Sequence, residues 1–112
     1  MYYYINNKFV KSNQASVPFS DGGFLYGDGL FETMRFDNRR IFSPLKHLSR
    51  LSKGLELINL KITKTENQLF NILKDVIEKN ALNSGILRLM ITRGITDSKL
   101  INYASPNIYI SI

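Results

Sequence analysis

DGGFLYGDGLFETMRFDNRRIFSPLKHLSRL, residues Asp21 to Leu51, holds a glycine-punctuated turn, two short strands and the head of a helix. Gly22, Gly23, Gly27 and Gly29 bracket Phe24, Leu25 and Tyr26. Glycine accepts positive φ and lets other atoms come close to the backbone, so this is a tight, specialised turn. Beyond it, Leu30 to Arg35 and Arg40 to Phe42 read as strands joined at Asp37-Asn38-Arg39, a hairpin signal. Ser43-Pro44 then reads as a helix start, with Ser43 as cap and Pro44 at the first helical position. Leu45, Leu48, Leu51, Leu55 and Ile58 follow at three- and four-residue steps, which is one apolar stripe. His47 and Arg50 lie one turn apart on a neighbouring face. Gly54 weakens the helix by about 1 kcal/mol relative to alanine unless something packs close against it. Between the turn and the helix there is room for something small, anionic and planar.

Outward from this stretch the signals are simpler. Tyr2 to Val10 is aromatic and β-branched and reads as a strand, turned at Asn6-Asn7. Ser12 to Ser20 is a polar connector containing Pro18. Thr63-Lys64-Thr65-Glu66 reads as a capping box opening a second helix, whose apolar face is Leu69, Phe70, Leu73, Val76 and Ile77. That helix frays near Asn80 to Gly85. Ile86 to Thr92 is apolar on both faces apart from Arg88, as in a central strand covered by helices. A buried Arg88 then needs a partner, because an unpaired charge in the interior is costly. Gly94 to Pro106 reads as a polar loop and Asn107 to Ile112 as a last strand. The order gives an α+β sandwich with both helices on one face. A final apolar strand with no polar tail leads us to expect a fragment.

Composition narrows the function classes. One hundred and twelve residues with 44% apolar and 12% aromatic content suit one globular domain and argue against disorder. No window reaches the ~18 uninterrupted apolar residues of a membrane span, and MYYYINNKF has no signal-peptide pattern. With no cysteine there is no disulfide, thiolate zinc site or cysteine nucleophile. A cytoplasmic address is the expectation. The net charge of +6 favours an anionic partner, a phosphorylated small molecule or nucleic acid, although ordinary surface charge gives the same number.

One histidine, His47, excludes a multi-histidine metal site, and no metal is expected. No GxSxG elbow and no Walker loop is present, and the glycine spacing does not match the dinucleotide fingerprint. Asp28 and Glu32 are candidates for a carboxylate pair, but acids beside glycine are ordinarily turn or cap residues. Arg50 is the stronger signal, because arginine presents fixed donors that suit phosphate. Its ordinary alternative is a solvated helix face, and His47 shares that alternative. Tyr26 and Phe31 read most simply as core aromatics. Lys46, Arg50 and Lys53 on one helix, after Arg39 and Arg40, are able to track nucleic-acid phosphates. No RNP, KH or helix-turn-helix pattern supports that reading, so nucleic acid is not expected.

FLYGDGLFETMR, then HLSRL after a hairpin, then LRLMITRG together resemble the class IV, pyridoxal-phosphate (PLP) aminotransferases. That family includes branched-chain and D-amino-acid aminotransferases and 4-amino-4-deoxychorismate lyase. The blocks come in the family's order and span roughly residues 2 to 112. The resemblance implies an antiparallel-rich sheet with two helices on one face, like the small N-terminal domain of these enzymes. It implies that residues 1–112 are that domain, with PLP in a cleft against a second domain absent from this chain, and a homodimer.

The resemblance places Arg50 at the PLP phosphate, with His47 and Glu32 in the supporting wall. Tyr26, Phe31 and Arg35 fall where relatives line the substrate pocket, and Arg93-Gly94 opens a loop that approaches it. The lysine that binds PLP covalently belongs to the second domain, as does the acid facing the pyridine nitrogen. No residue of this chain is therefore expected to be catalytic, and the segment alone is expected to be inactive. Within the family, amino-group transfer between an amino acid and a 2-oxo acid is the expected activity. The lyase, which yields pyruvate and 4-aminobenzoate, is the alternative suggested by Phe-Glu-Thr at residues 31–33. Against it, the loop after Gly94 lacks the arginine and glycine pattern of several lyases, and it also lacks the Arg-x-His carboxylate clamp of D-amino-acid enzymes.

Overall fold

The computed structural model describes residues 1–97 and 103–112. It has ten elements among the described residues. In chain order they are β1 (Tyr2–Ile5), β2 (Lys8–Lys11), a 3-10 turn (Ser12–Gln14), α1 (Gly22–Tyr26), β3 (Gly29–Asp37), β4 (Arg40–Ile41), α2 (Pro44–Leu57), α3 (Glu66–Asn80), β5 (Gly85–Thr92) and β6 (Asn107–Ser111). The strands form one sheet in the order β2-β1-β6-β5-β3-β4, and every pairing is antiparallel. This is the expected α+β class.

Both hairpins are set by their turn residues. Asn6 and Asn7 have φ of 43° and 72°, and Asn38 and Arg39 have 52° and 61°. Two consecutive positive φ values match the strand twist, and after glycine asparagine is among the residues that tolerate them best. The bend expected at Asn6-Asn7 is thus a full hairpin, pairing Tyr4 with Phe9 and Ile5 with Lys8.

Period-two alternation divides the sheet into two unlike faces. Met34 and Phe36 of β3, Leu87, Leu89 and Ile91 of β5, and Ile108 and Ile110 of β6 are buried in the core. Leu48, Leu51 and Leu55 of α2 and Leu69, Leu73, Val76 and Ile77 of α3 close it from the helix side. Leu45, expected in the α2 stripe, is instead 72% exposed, because it sits on the first turn before the helix reaches the sheet. Gly54 lies where an added Cβ would stand 2.7 Å from Leu30 Cδ1, so a side chain fills the space that the glycine leaves.

Four local expectations are corrected. Ser43 occupies the cap position of α2 in a left-handed conformation (φ 49°), and its side chain makes no capping hydrogen bond. The capping box of α3 is shifted by two residues: Thr65 Oγ1 accepts from Gln68 N at 3.1 Å, and Thr65 N donates to Gln68 Oε1 at 2.8 Å. The stretch read as a glycine turn is a five-residue helix, α1, capped by Asp21 and ended by Gly27 at φ 67°. Finally, β5 is covered on one face only. Arg88 is exposed on the other face and is not a buried charge. Within the expected loop Gly94–Pro106, residues 98–102 lie outside the described residues. On either side, Asp21 bridges to Ile95 and Thr96 to Tyr103.

Candidate functional site

Glu32 is the one carboxylate that β3 turns toward the helices, between Leu30 and Met34, and it is 4% exposed. A charge so placed survives only with partners, and α2 supplies both. Arg50 Nε donates to Glu32 Oε1 at 2.7 Å and Arg50 Nη2 donates to Oε2 at 2.7 Å. His47 Nδ1 lies 2.7 Å from the same Oε2. The one-turn spacing of His47 and Arg50 lets both reach one carboxylate. Hydrogen bonds from Arg50 hold the Glu32 carboxyl below the usual range, with His47 adding to the effect and burial opposing it. Glu32 in turn raises the Arg50 guanidinium, which stays fully charged. The Arg50 side chain is still 74% exposed. Nη1 makes no hydrogen bond among the described residues, so the fork has one edge fixed and one edge open. Fixed, open-edged guanidinium donors are what bidentate or bridging recognition of phosphate requires.

Asp28 and Glu32 form no carboxylate pair. Asp28 Oδ2 accepts from Arg93 Nε at 2.9 Å and from Tyr103 OH at 2.9 Å. Arg93 also donates through Nη2 to the carbonyl of Ile58 at 2.7 Å and through Nη1 to that of Asn59 at 3.3 Å. Those carbonyls end α2, where backbone acceptors have no helical partner. All three guanidinium nitrogens of Arg93 are therefore engaged within the chain, and in this structure Arg93 braces α2 against α1 and β5.

A third cluster escaped the sequence reading. Asp21 is fully buried. Its Oδ1 accepts from Gly23 N at 2.7 Å, and its Oδ2 accepts from Thr92 Oγ1 at 2.9 Å, Asn107 Nδ2 at 2.8 Å and Tyr109 OH at 2.6 Å. Burial pushes its carboxyl up, but the hydrogen bonds from Tyr109, Asn107, Thr92 and Gly23 outweigh it and the group titrates low. Burial and the same contact push the Tyr109 hydroxyl well up. The legible signal was an aspartate directly before Gly22, an N-cap residue. Its partners on β5 and β6 follow only from the folded chain.

The sheet face turned away from α2 and α3 carries Phe31, Arg35, Ile86 and Arg88, all exposed. The Arg88 guanidinium stands 5.4 Å from the centre of the Phe31 ring, a cation–π distance. Neither Arg35 nor Arg88 has a carboxylate partner among the described residues. A cleft of about 430 Å³ on this side is lined by Val17, Phe24, Phe31, Met90 and Tyr109, among others. Of the residues expected at a pocket, Phe31 is on its wall, while Tyr26, Arg35 and Arg93 are not. Tyr26 (53% exposed) and Phe31 (64%) are surface aromatics, not core residues. No metal-ligand cluster is present among the described residues, and no described helix is long and apolar enough to cross a membrane.

The chain thus combines an antiparallel six-stranded sheet, two helices on one face, and an arginine held beside a buried glutamate. The amino-transferase class IV family matches residues 29–112. The chain belongs to that family. A putative branched-chain-amino-acid aminotransferase of Methanocaldococcus jannaschii is 33% identical over 94 residues, 84% of this chain and 33% of that protein. A D-alanine aminotransferase of Listeria monocytogenes is 30% identical over 103 residues, 92% of this chain and 35% of that protein. Among solved structures, the branched-chain amino acid aminotransferase of Escherichia coli superposes with a TM-score of 0.88 at 25% identity, over 98% of this chain and 39% of that one. The 4-amino-4-deoxychorismate lyase of Pseudomonas aeruginosa superposes with a TM-score of 0.77 at 26% identity, over 97% and 38%. The chain thus spans about a third of the length of the curated relatives it matches.

Proposed function

We propose that this chain forms the phosphate-holding and substrate-facing wall of a PLP-dependent class IV aminotransferase, which moves an amino group between an amino acid and a 2-oxo acid. The observation that carries the reading is Arg50, fixed on one edge by buried Glu32 and open on the other. PLP, when bound, acts as the electron sink for chemistry at the amino acid's α-carbon. The residues here bind and orient. Arg50 takes the cofactor phosphate, while Glu32 and His47 hold Arg50 in place. Phe31 and Tyr26 offer exposed aromatic surface that excludes water from a bound substrate. Arg35, exposed on the same sheet face four residues along β3 from Phe31, offers a cation with no carboxylate partner among the described residues for a substrate carboxylate.

The covalent lysine and the acid facing the pyridine nitrogen belong, in this reading, to a second domain, so the present segment is inactive alone. A homodimer, branched-chain or D-amino-acid substrates and a cytoplasmic address are part of the same proposal. The Arg50→Ala variant tests it through PLP affinity, expected to fall roughly ten- to a hundredfold, the worth of a charge-assisted contact. Unchanged affinity would return Arg50 to the role of a surface ion pair. The lyase reading is supported by the superposition on the lyase at 26% identity and by Phe31-Glu32-Thr33. One incubation of the complete polypeptide separates the two. Glutamate formed from 2-oxoglutarate and an amino acid supports transamination. Pyruvate released from aminodeoxychorismate with no oxo acid present supports the lyase.

A further inference from the structure

We infer that Glu32 is the positioning residue for phosphate recognition: it dedicates the Nε–Nη2 edge of Arg50 to the protein, so that a phosphate is met through Nη1. This rests on the reading of Arg50 as the phosphate ligand.

A solvent-exposed arginine samples many conformers, and ordering it costs side-chain entropy when a ligand binds. Arg50 is 74% exposed, yet two of its nitrogens are held at 2.7 Å by the two oxygens of one carboxylate. That carboxylate cannot drift. It projects from the middle of β3, where Glu32 pairs with Leu89 of β5, and is 4% exposed between core residues. Oε2 is held a second time by His47 Nδ1 at 2.7 Å. A rigid strand therefore fixes the carboxylate and the carboxylate fixes the guanidinium plane. Binding then meets a donor already aimed, which is the ordinary route by which preorganisation raises affinity. Glu32 itself touches no ligand.

A carboxylate also lowers the positive potential that attracts a phosphate, so charge and position predict opposite effects of removing it. Two substitutions in the complete polypeptide separate them. Glu32→Asp keeps the charge but withdraws it by one methylene, which breaks the two-point contact. Glu32→Gln keeps the length and one acceptor but removes the charge. The readout is the ratio of affinities for PLP and for pyridoxal, which lacks the phosphate. Expected is a loss of about tenfold in that ratio for Glu32→Asp, the scale of a misplaced charge-assisted contact, with a smaller loss for Glu32→Gln and pyridoxal affinity unchanged in both.

A ratio that rises in Glu32→Gln and is unchanged in Glu32→Asp makes Glu32 a counter-charge and overturns the proposal. An unchanged ratio in both makes it a core ion-pair residue only and also overturns it. If Arg50→Ala leaves the ratio unchanged, the phosphate reading of Arg50 falls and this inference with it; if only Arg50→Ala lowers it, the inference falls alone. A measurement on the unaltered protein guards against variants that fail to fold. The proton-exchange rate at Arg50 Nε, followed by nitrogen-15 NMR, is expected to stay slow when PLP is added while exchange at Nη1 slows. Release of the Nε proton to fast exchange on adding PLP would mean that the phosphate displaces Glu32, against the proposal.

Discussion

Replacing Asp21 with asparagine removes one charge from a site where four donors converge. In the native chain Oδ1 serves Gly23 N, and Oδ2 serves Thr92, Asn107 and Tyr109 at 2.6–2.9 Å. Asparagine has one oxygen. If it faces β5 and β6, its amide group meets the N–H of Gly23. If it faces Gly23, its amide group meets three former donors, which must turn or go unpaired. At least one contact is lost and the rest lose their charge assistance, in a site with no solvent exposure. The expected cost is about 2–4 kcal/mol of folding stability, a large part of the ~5–15 kcal/mol typical of a domain.

Urea unfolding at neutral pH measures that loss, with an unchanged m value showing that the folded state is otherwise intact. The pH dependence supplies a second check. Although burial raises the Asp21 pKa, its hydrogen bonds prevail and the folded value lies below the unfolded one. Its carboxylate therefore contributes stability that is complete above the ordinary carboxylate range of about pH 4 and is lost as pH falls through the depressed folded value. The gap between native chain and variant should close in acid. Glu32 titrates in the same direction, so some acid lability remains in the variant. A loss under about 1 kcal/mol at neutral pH, or a gap constant from neutral to acid, would refute the charge-assisted account.

Three further perturbations have defined outcomes. In Gly29→Ala the new Cβ would stand 2.5 Å from the carbonyl oxygen of Ile91 and 3.0 Å from Thr92 Cα, both backbone atoms of the paired strand; thermal unfolding should show a loss of about 1–3 kcal/mol, and an unchanged Tm would exclude so close an approach. Thr65→Ala should cost about 1 kcal/mol while Thr63→Ala stays within about 0.5 kcal/mol; equal costs in denaturant would contradict the capping box at Thr65. Leu73→Ala, at a fully buried position of α3, should cost about 2–5 kcal/mol, whereas Leu45→Ala should be nearly neutral, and the reverse order would displace the core from where it is drawn.

Much of this protein is local and was therefore legible. The hairpin at Asn38-Arg39, the bend at Asn6-Asn7, the α2 and α3 stripes and the strand runs follow from turn chemistry and periodicity, which act over a few residues; that the bend closes Tyr2–Ile5 onto Lys8–Lys11 as a second hairpin is seen only in the fold. The three sequence blocks sufficed to suggest the family, because residue order and spacing survive without coordinates. The environment of Arg50 was only half legible. Its residue type suggested phosphate, but its anchor, Glu32, lies eighteen positions away and meets it only because β3 turns that side chain toward α2. Arg88 was misjudged for the same kind of reason: apolar neighbours on both sides of β5 suggested two covered faces, and only the packing of both helices on one side leaves Arg88 exposed over Phe31. Asp21 is the clearest case. The sequence places an aspartate before two glycines, which specifies a helix cap; that it also gathers Thr92, Asn107 and Tyr109 depends on β5 and β6 lying side by side. Short-range geometry is written in neighbouring residues, whereas the pairing of charges across a sheet exists only once the chain has closed.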